Sequence, residues 1–158
     1  MDEQIVRRIT FVRLLLQQAN TLFEKTNETM AGMPLLPAHD AVEMLLRAVA
    51  EVSDASVPNN AAFDQLIAKI DEKLAGQTPP KVIPYRTAIN RLNTARNNFK
   101  HAGIMPTLKE ANEFLLHARR FCEQVSLDYF SRSLESFRSV IWSSVTALEH
   151  PLKRQKLS

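Results

Sequence analysis

Little in this sequence supports a sheet. It has only three glycines in 158 residues, and no segment alternates apolar and polar positions over the length of a strand. The single cysteine, Cys122, excludes an internal disulfide and suits a reducing compartment. With one cysteine and no His-x3-His pair, nothing has the spacing of a zinc site, so neither metal nor cofactor is expected. Gly-rich phosphate loops and nucleophile elbows are also missing. No apolar run approaches the roughly 18 residues of a membrane span, and the opening Met1-Asp2-Glu3-Gln4 is acidic, unlike a secretory leader. These absences lead to an expected cytoplasmic address and no membrane partner. One further absence is local. Between Glu72 and Glu110 there is no acidic residue, while Lys73, Lys81, Arg86, Arg91, Arg96, Lys100 and Lys109 fall inside that stretch. Seven positive charges there, against a chain total of +3, leave the remainder at −4. Such a belt is either a solvated helix face or the footprint of an anionic partner, with phosphate the usual one.

What is present is helical periodicity. Hydrophobic residues make up 45% of the chain and recur at spacings of three and four. The pattern predicts an all-α antiparallel bundle of five to six helices. It forms a single domain over 1–150, followed by a basic tail over 151–158 that is expected to be disordered. A first helix is expected from Glu3 to Met30, with Ile5, Ile9, Val12, Leu16, Ala19, Leu22 and Phe23 inward. Pro37 suits the opening of a second helix carrying Ala41, Leu45, Ala48, Val49 and Val52. Asn60 is the expected cap of a third, running to Leu74 with Phe63, Leu66, Ile67 and Ile70 inward. Pro84 opens a fourth with Tyr85, Ala88, Ile89, Leu92, Ala95 and Phe99 on one stripe, ending near Ala102-Gly103. Thr107-Leu108-Lys109-Glu110 is a capping box for a fifth, which buries Ala111, Phe114, Leu115, Ala118, Phe121, Cys122 and Val125. A last helix is expected from about Ser131, with Leu134, Phe137, Ile141, Val145 and Leu148.

Arg96 breaks the amphipathic rule on the fourth helix. It lies four residues after Leu92 and seven after Ile89, on the core stripe. A guanidinium stays charged, and burying one unpaired is costly. Arg96 therefore meets an internal carboxylate, with Asp40 and Glu43 as candidates, or it lines a groove that receives a phosphate or a partner. His101 stands five residues further on, four after Asn97, whose amide can orient the imidazole. A histidine there is either a cation at a helix end or a proton-transfer group, with Lys100 adding positive potential. His39, His117 and His150 have no ligand-like partners at useful spacing, and His39 beside Asp40 is read as local structure. Tyr129 and Trp142 are read as packing or a dimer seam more than as base-stacking residues.

The hexapeptide Arg96-Asn97-Asn98-Phe99-Lys100-His101 resembles the Arg-x(4 to 6)-His signature of the HEPN superfamily, including a polar residue after the arginine. Gly103, Pro106 and the long amphipathic helix that follows also look like that family. The resemblance spans residues 3 to 148 in pattern and only the hexapeptide in identity. It implies a homodimer that brings two motifs into one cleft, and metal-independent endoribonuclease activity in a toxin–antitoxin, anti-phage or stress setting. A cognate antitoxin or a nucleotidyltransferase partner belongs to the same implication. Carried over, His101 moves protons as a ribose 2′-hydroxyl attacks the adjacent phosphate, and Arg96 neutralises charge in the transition state. Asn97, with Lys100 and Arg91, would support them or bind substrate. The same resemblance also allows a non-catalytic module that binds RNA, a nucleotide or a protein.

Overall fold

A computed structural model describes residues 1–138. It comprises α1 (Glu3–Glu24), α2 (Leu35–Val52), α3 (Phe63–Ala75), α4 (Arg86–Ala102) and α5 (Leu108–Phe130), with short 3-10 turns at Glu28–Met30 and Leu134–Arg138. There is no strand among the described residues. The architecture is the all-α helical bundle that the apolar spacing implies. Its core joins Ile9 and Val12 of α1, Leu35, Leu45 and Leu46 of α2, Leu66 and Ile70 of α3, Ile89 and Leu92 of α4, and Phe121 and Val125 of α5.

α1 and α2 run antiparallel. Arg8, early in α1, pairs with Glu51 at the end of α2, while a short connection joins their other ends. On the facing side, Gly32 just ahead of α2 meets Phe99 late in α4, and His39 bonds Asn93 a turn and a half earlier. α2 and α4 are thus antiparallel as well, and this places the polar stripe of α4 over the first half of α2. Cys122 is wholly enclosed in α5, and burial pushes its thiol pKa up.

Several boundaries differ from the sequence-based expectation. α1 stops at Glu24 instead of Met30, because the Asn27 side chain accepts from the Thr29 amide and opens a separate 3-10 turn. α2 begins two residues before Pro37, which falls within its first turn, where a missing amide donor costs nothing. Asn60 does not cap α3. Ala61 N–H donates to Pro58 O (3.0 Å), closing a turn over Asn59 and Asn60, and Ala62 takes the N-cap place with no side-chain hydrogen bond. α4 starts at Arg86, after Tyr85 in the left-handed region (φ 54°). Its end at Gly103 (φ 66°) and the Thr107–Glu110 capping box are as the sequence implies. Ser131 does not open a helix; it is the left-handed C-cap of α5 (φ 55°), and Leu134 and Phe137 lie in the 3-10 turn. The remainder of that expected helix, Trp142, His150 and the tail over 151–158 lie outside the described residues. No described helix is long and apolar enough to cross a membrane.

Candidate functional site

α4 is an asparagine-rich helix laid against the bundle by Ile89 and Leu92, its only fully buried residues. Arg96 extends that inward stripe by one turn and is half-buried. Its guanidinium makes no ion pair among the described residues. Nη1 donates to Asn97 Oδ1 (3.1 Å), and the buried Nε has no hydrogen-bond partner. The two carboxylates named as internal partners are otherwise disposed. Glu43 accepts from Arg47 Nη2 (3.0 Å), and Arg47 Nη2 also donates to Ala61 O (3.1 Å). Asp40 is exposed.

Arg96 opens into a cavity of about 300 Å³, lined by His39 and Glu43 of α2, the start of α3, and Asn93 and Asn97 of α4. His39 is 2% exposed, with its ring 5.0 Å from that of Phe63. Its Nε2 lies 2.8 Å from Asn93 Oδ1, so the ring nitrogen donates and the amide oxygen accepts. Burial holds the His39 pKa below the ordinary imidazole value. The Asn93 hydrogen bond opposes that effect and the neighbouring Arg96 charge adds to it. The ring is therefore neutral at pH 7. The connection of His39 to Asn93 and Arg96 was missed in sequence. The available signal was that His39 follows Leu35 by four and precedes Val42 by three and Leu46 by seven, all of them buried.

The other residues singled out from sequence lie elsewhere. His101 is exposed in the last turn of α4 and does not line the cavity. Five residues of α-helix turn about 140°, so Arg96 and His101 do not share a wall within one chain. The expected Asn97–His101 hydrogen bond is not formed, since Asn97 instead accepts from Arg96. Lys100 is exposed, and Arg91 stands 5.8 Å over the Phe114 ring. The basic belt is acid-free in sequence but not in space. Arg86 pairs with Asp71, and Lys73 lies 4.0 Å from Asp54. The belt charges left without a carboxylate partner on α4 are Arg91, Arg96 and Lys100.

A larger groove of about 460 Å³ between α1 and α2 is lined by Phe11, Leu15 and Met44. Its arginines, Arg8 and Arg47, are already paired with Glu51 and Glu43, and Asp40 adds a further carboxylate to the lining. Among the described residues no cluster of three or more His, Cys, Asp or Glu could hold a metal ion.

The class these observations define is an all-α helical bundle with one unpaired, half-buried arginine in a polar cavity. No family model, no curated protein and no solved structure matches the chain.

Proposed function

We propose that this chain is a HEPN-like, metal-independent endoribonuclease that cleaves RNA when two copies bring their α4 helices together. The observation that carries this reading is Arg96: a permanently charged side chain on the core stripe, without a carboxylate partner, facing a cavity large enough for an anion. In the reaction the ribose 2′-hydroxyl attacks the adjacent phosphorus, the new 2′-O–P bond forms, and the P–O5′ bond breaks. Arg96 neutralises the growing negative charge, and His101 exchanges the protons. The exposure of His101 at a helix end leaves it free to enter a cleft built with a second chain. Dependence on the 2′-hydroxyl restricts the substrate to RNA. A toxin or anti-phage effector role, with an antitoxin or nucleotidyltransferase partner, belongs to the same proposal.

Purified protein incubated with RNA in EDTA tests it. His101→Ala is expected to slow cleavage about 10²–10⁴-fold, the usual worth of a positioned proton-transfer group. Arg96→Ala is expected to slow it about 10²–10³-fold, as for loss of one preorganised stabiliser of transition-state charge. Cleavage unchanged in both variants, with melting temperatures near wild type, removes this site as the nuclease.

A second reading has its own observation. His101 lies outside the Arg96 cavity, which favours a module that binds RNA or a nucleotide without turnover. RNA retained on a filter and recovered intact would support it.

A further inference from the structure

The Arg96 cavity has a feature that the resemblance does not address: the amide oxygens on its α4 wall are spent within that wall and on His39, whereas its guanidinium has no carboxylate partner. Asn93 Oδ1 accepts from His39, Asn97 Oδ1 accepts from Arg96, and Glu43 accepts from Arg47. The lining also includes Asn93 and Asn97, whose amide nitrogens are donors, and the Arg96 guanidinium, which makes one hydrogen bond, to Asn97, and has a buried Nε without a partner. A fourth group of donors adds to these. Ala62, Phe63 and Asp64 form one wall, and α3 begins there without a side-chain cap. The N–H groups of its first turn are therefore unsatisfied by the helix, and they carry the positive end of its dipole. Arg47 holds this wall in place, since its guanidinium joins Glu43 on α2 to the carbonyl of Ala61.

A guanidinium without a carboxylate partner beside the uncapped start of a helix favours a ligand made of anionic oxygens. Its volume is at the small end of the roughly 300–1,000 Å³ range of small-molecule sites, suited to a phosphate with part of a sugar. We propose that this cavity is a single-chain binding site for one nucleic-acid phosphate group, held by Arg96, Asn93 and the first-turn amides of α3. The proposal rests on the reading of Arg96 as a phosphate ligand. His39 is a positioning residue: its ring N–H fixes Asn93 so that the amide nitrogen, not the oxygen, faces the ligand. Two carboxylates oppose an incoming anion: Glu43, which lines the cavity and is paired with Arg47, and Asp64, exposed in the first turn of α3. His101 of the same chain does not line this site.

The test is calorimetric titration of the full chain with inorganic phosphate, adenosine 3′-monophosphate and a short oligoribonucleotide, with melting temperatures to establish that each variant is folded. Arg96→Ala is expected to weaken binding of the 3′-monophosphate by more than about tenfold, the loss of a charge-assisted hydrogen bond. Asn93→Asp keeps the shape and the acceptor for His39 but turns a donor into a carboxylate, and is expected to weaken binding by a similar factor. Asp64→Asn is expected to tighten it a few-fold. Affinity indifferent to Arg96→Ala or to Asn93→Asp overturns the proposal, as does binding of inorganic phosphate with none of either nucleotide ligand. The nuclease reading fails separately. If the 3′-monophosphate binds as expected and RNA is never cut, the pocket stands and the catalysis does not. If RNA is cut in a His101-dependent way while Asn93→Asp binds normally, the reverse holds.

Discussion

α2 and α4 lie side by side and are built on opposite principles. Eleven of the 18 residues of α2 are buried, among them Leu35, Val42, Leu45, Leu46 and Val49. In α4 only Ile89 and Leu92 are, out of 17. α4 also contains Asn90, Asn93, Asn97 and Asn98, and asparagine is a weak helix former, worse than alanine by up to about 0.7 kcal/mol per residue. Neither core packing nor helix propensity accounts for the composition of α4. Its conformation is imposed by docking on α2 and α5, and its side chains are left free for another task. α2 holds the bundle together, whereas α4 presents chemistry on it.

Substitutions separate the two roles. The largest effect belongs to the packed interior that α2 shares with α5: Phe121 has no exposed surface, and Phe121→Ala is expected to cost about 3–5 kcal/mol in urea unfolding. A cost below about 1 kcal/mol would mean that the core is looser than its burial implies. Next comes the contact that seats α4 on the approach to α2. A Cβ at Gly32 would lie 2.3 Å from Phe99 Cδ2, with two more ring atoms at 2.5 and 2.7 Å. Gly32→Ala is expected to destabilise by about 1–3 kcal/mol, the usual cost of overpacking. It also displaces Phe99, so altered activity with unchanged melting would relocate the strain from the fold to the site. Thr107→Ala removes the capping box of α5 and is expected to cost about 1 kcal/mol by the same measurement. The smallest effect is a slope. His39 is held neutral in the folded protein but takes a proton near pH 6.5 when unfolded. The unfolded state therefore binds more protons below that pH, and stability falls as pH drops from about 7 toward the lowered folded-state pKa. His39→Gln is expected to flatten this stretch of the stability–pH curve, and an unchanged slope would assign the dependence to other groups.

Much of the bundle was legible because helical stripes are local. Ile9, Val12 and Leu16, or Phe114, Ala118, Phe121 and Val125, announce their inner face from spacing alone, and Gly103 and the Thr107 box announce where chain segments stop and start. The misplaced boundaries involve competing local hydrogen bonds. Asn27 ends α1 early by binding the Thr29 amide, and Asn59-Asn60 is consumed in a turn from Pro58. The inward setting of Arg96 was legible for the same reason as the core. Its surroundings were not, because they depend on contacts across the fold: His39 meets Asn93 across 54 residues, and Glu43 is taken by an arginine on its own helix. The acid-free run from Lys73 to Lys109 misled in a complementary way. Counting along the chain overlooked Asp71 and Asp54, which neutralise Arg86 and Lys73 in space.

The sealed position of Cys122 in α5 has a practical corollary. It is the chain's single sulfhydryl, fully enclosed and held in its unreactive protonated form. An alkylating reagent in excess therefore modifies the molecule only when the bundle opens, and each modified molecule records one such event. The protein thus carries an intrinsic clock for its own opening, read by mass, at the centre of the helix against which α4 is docked.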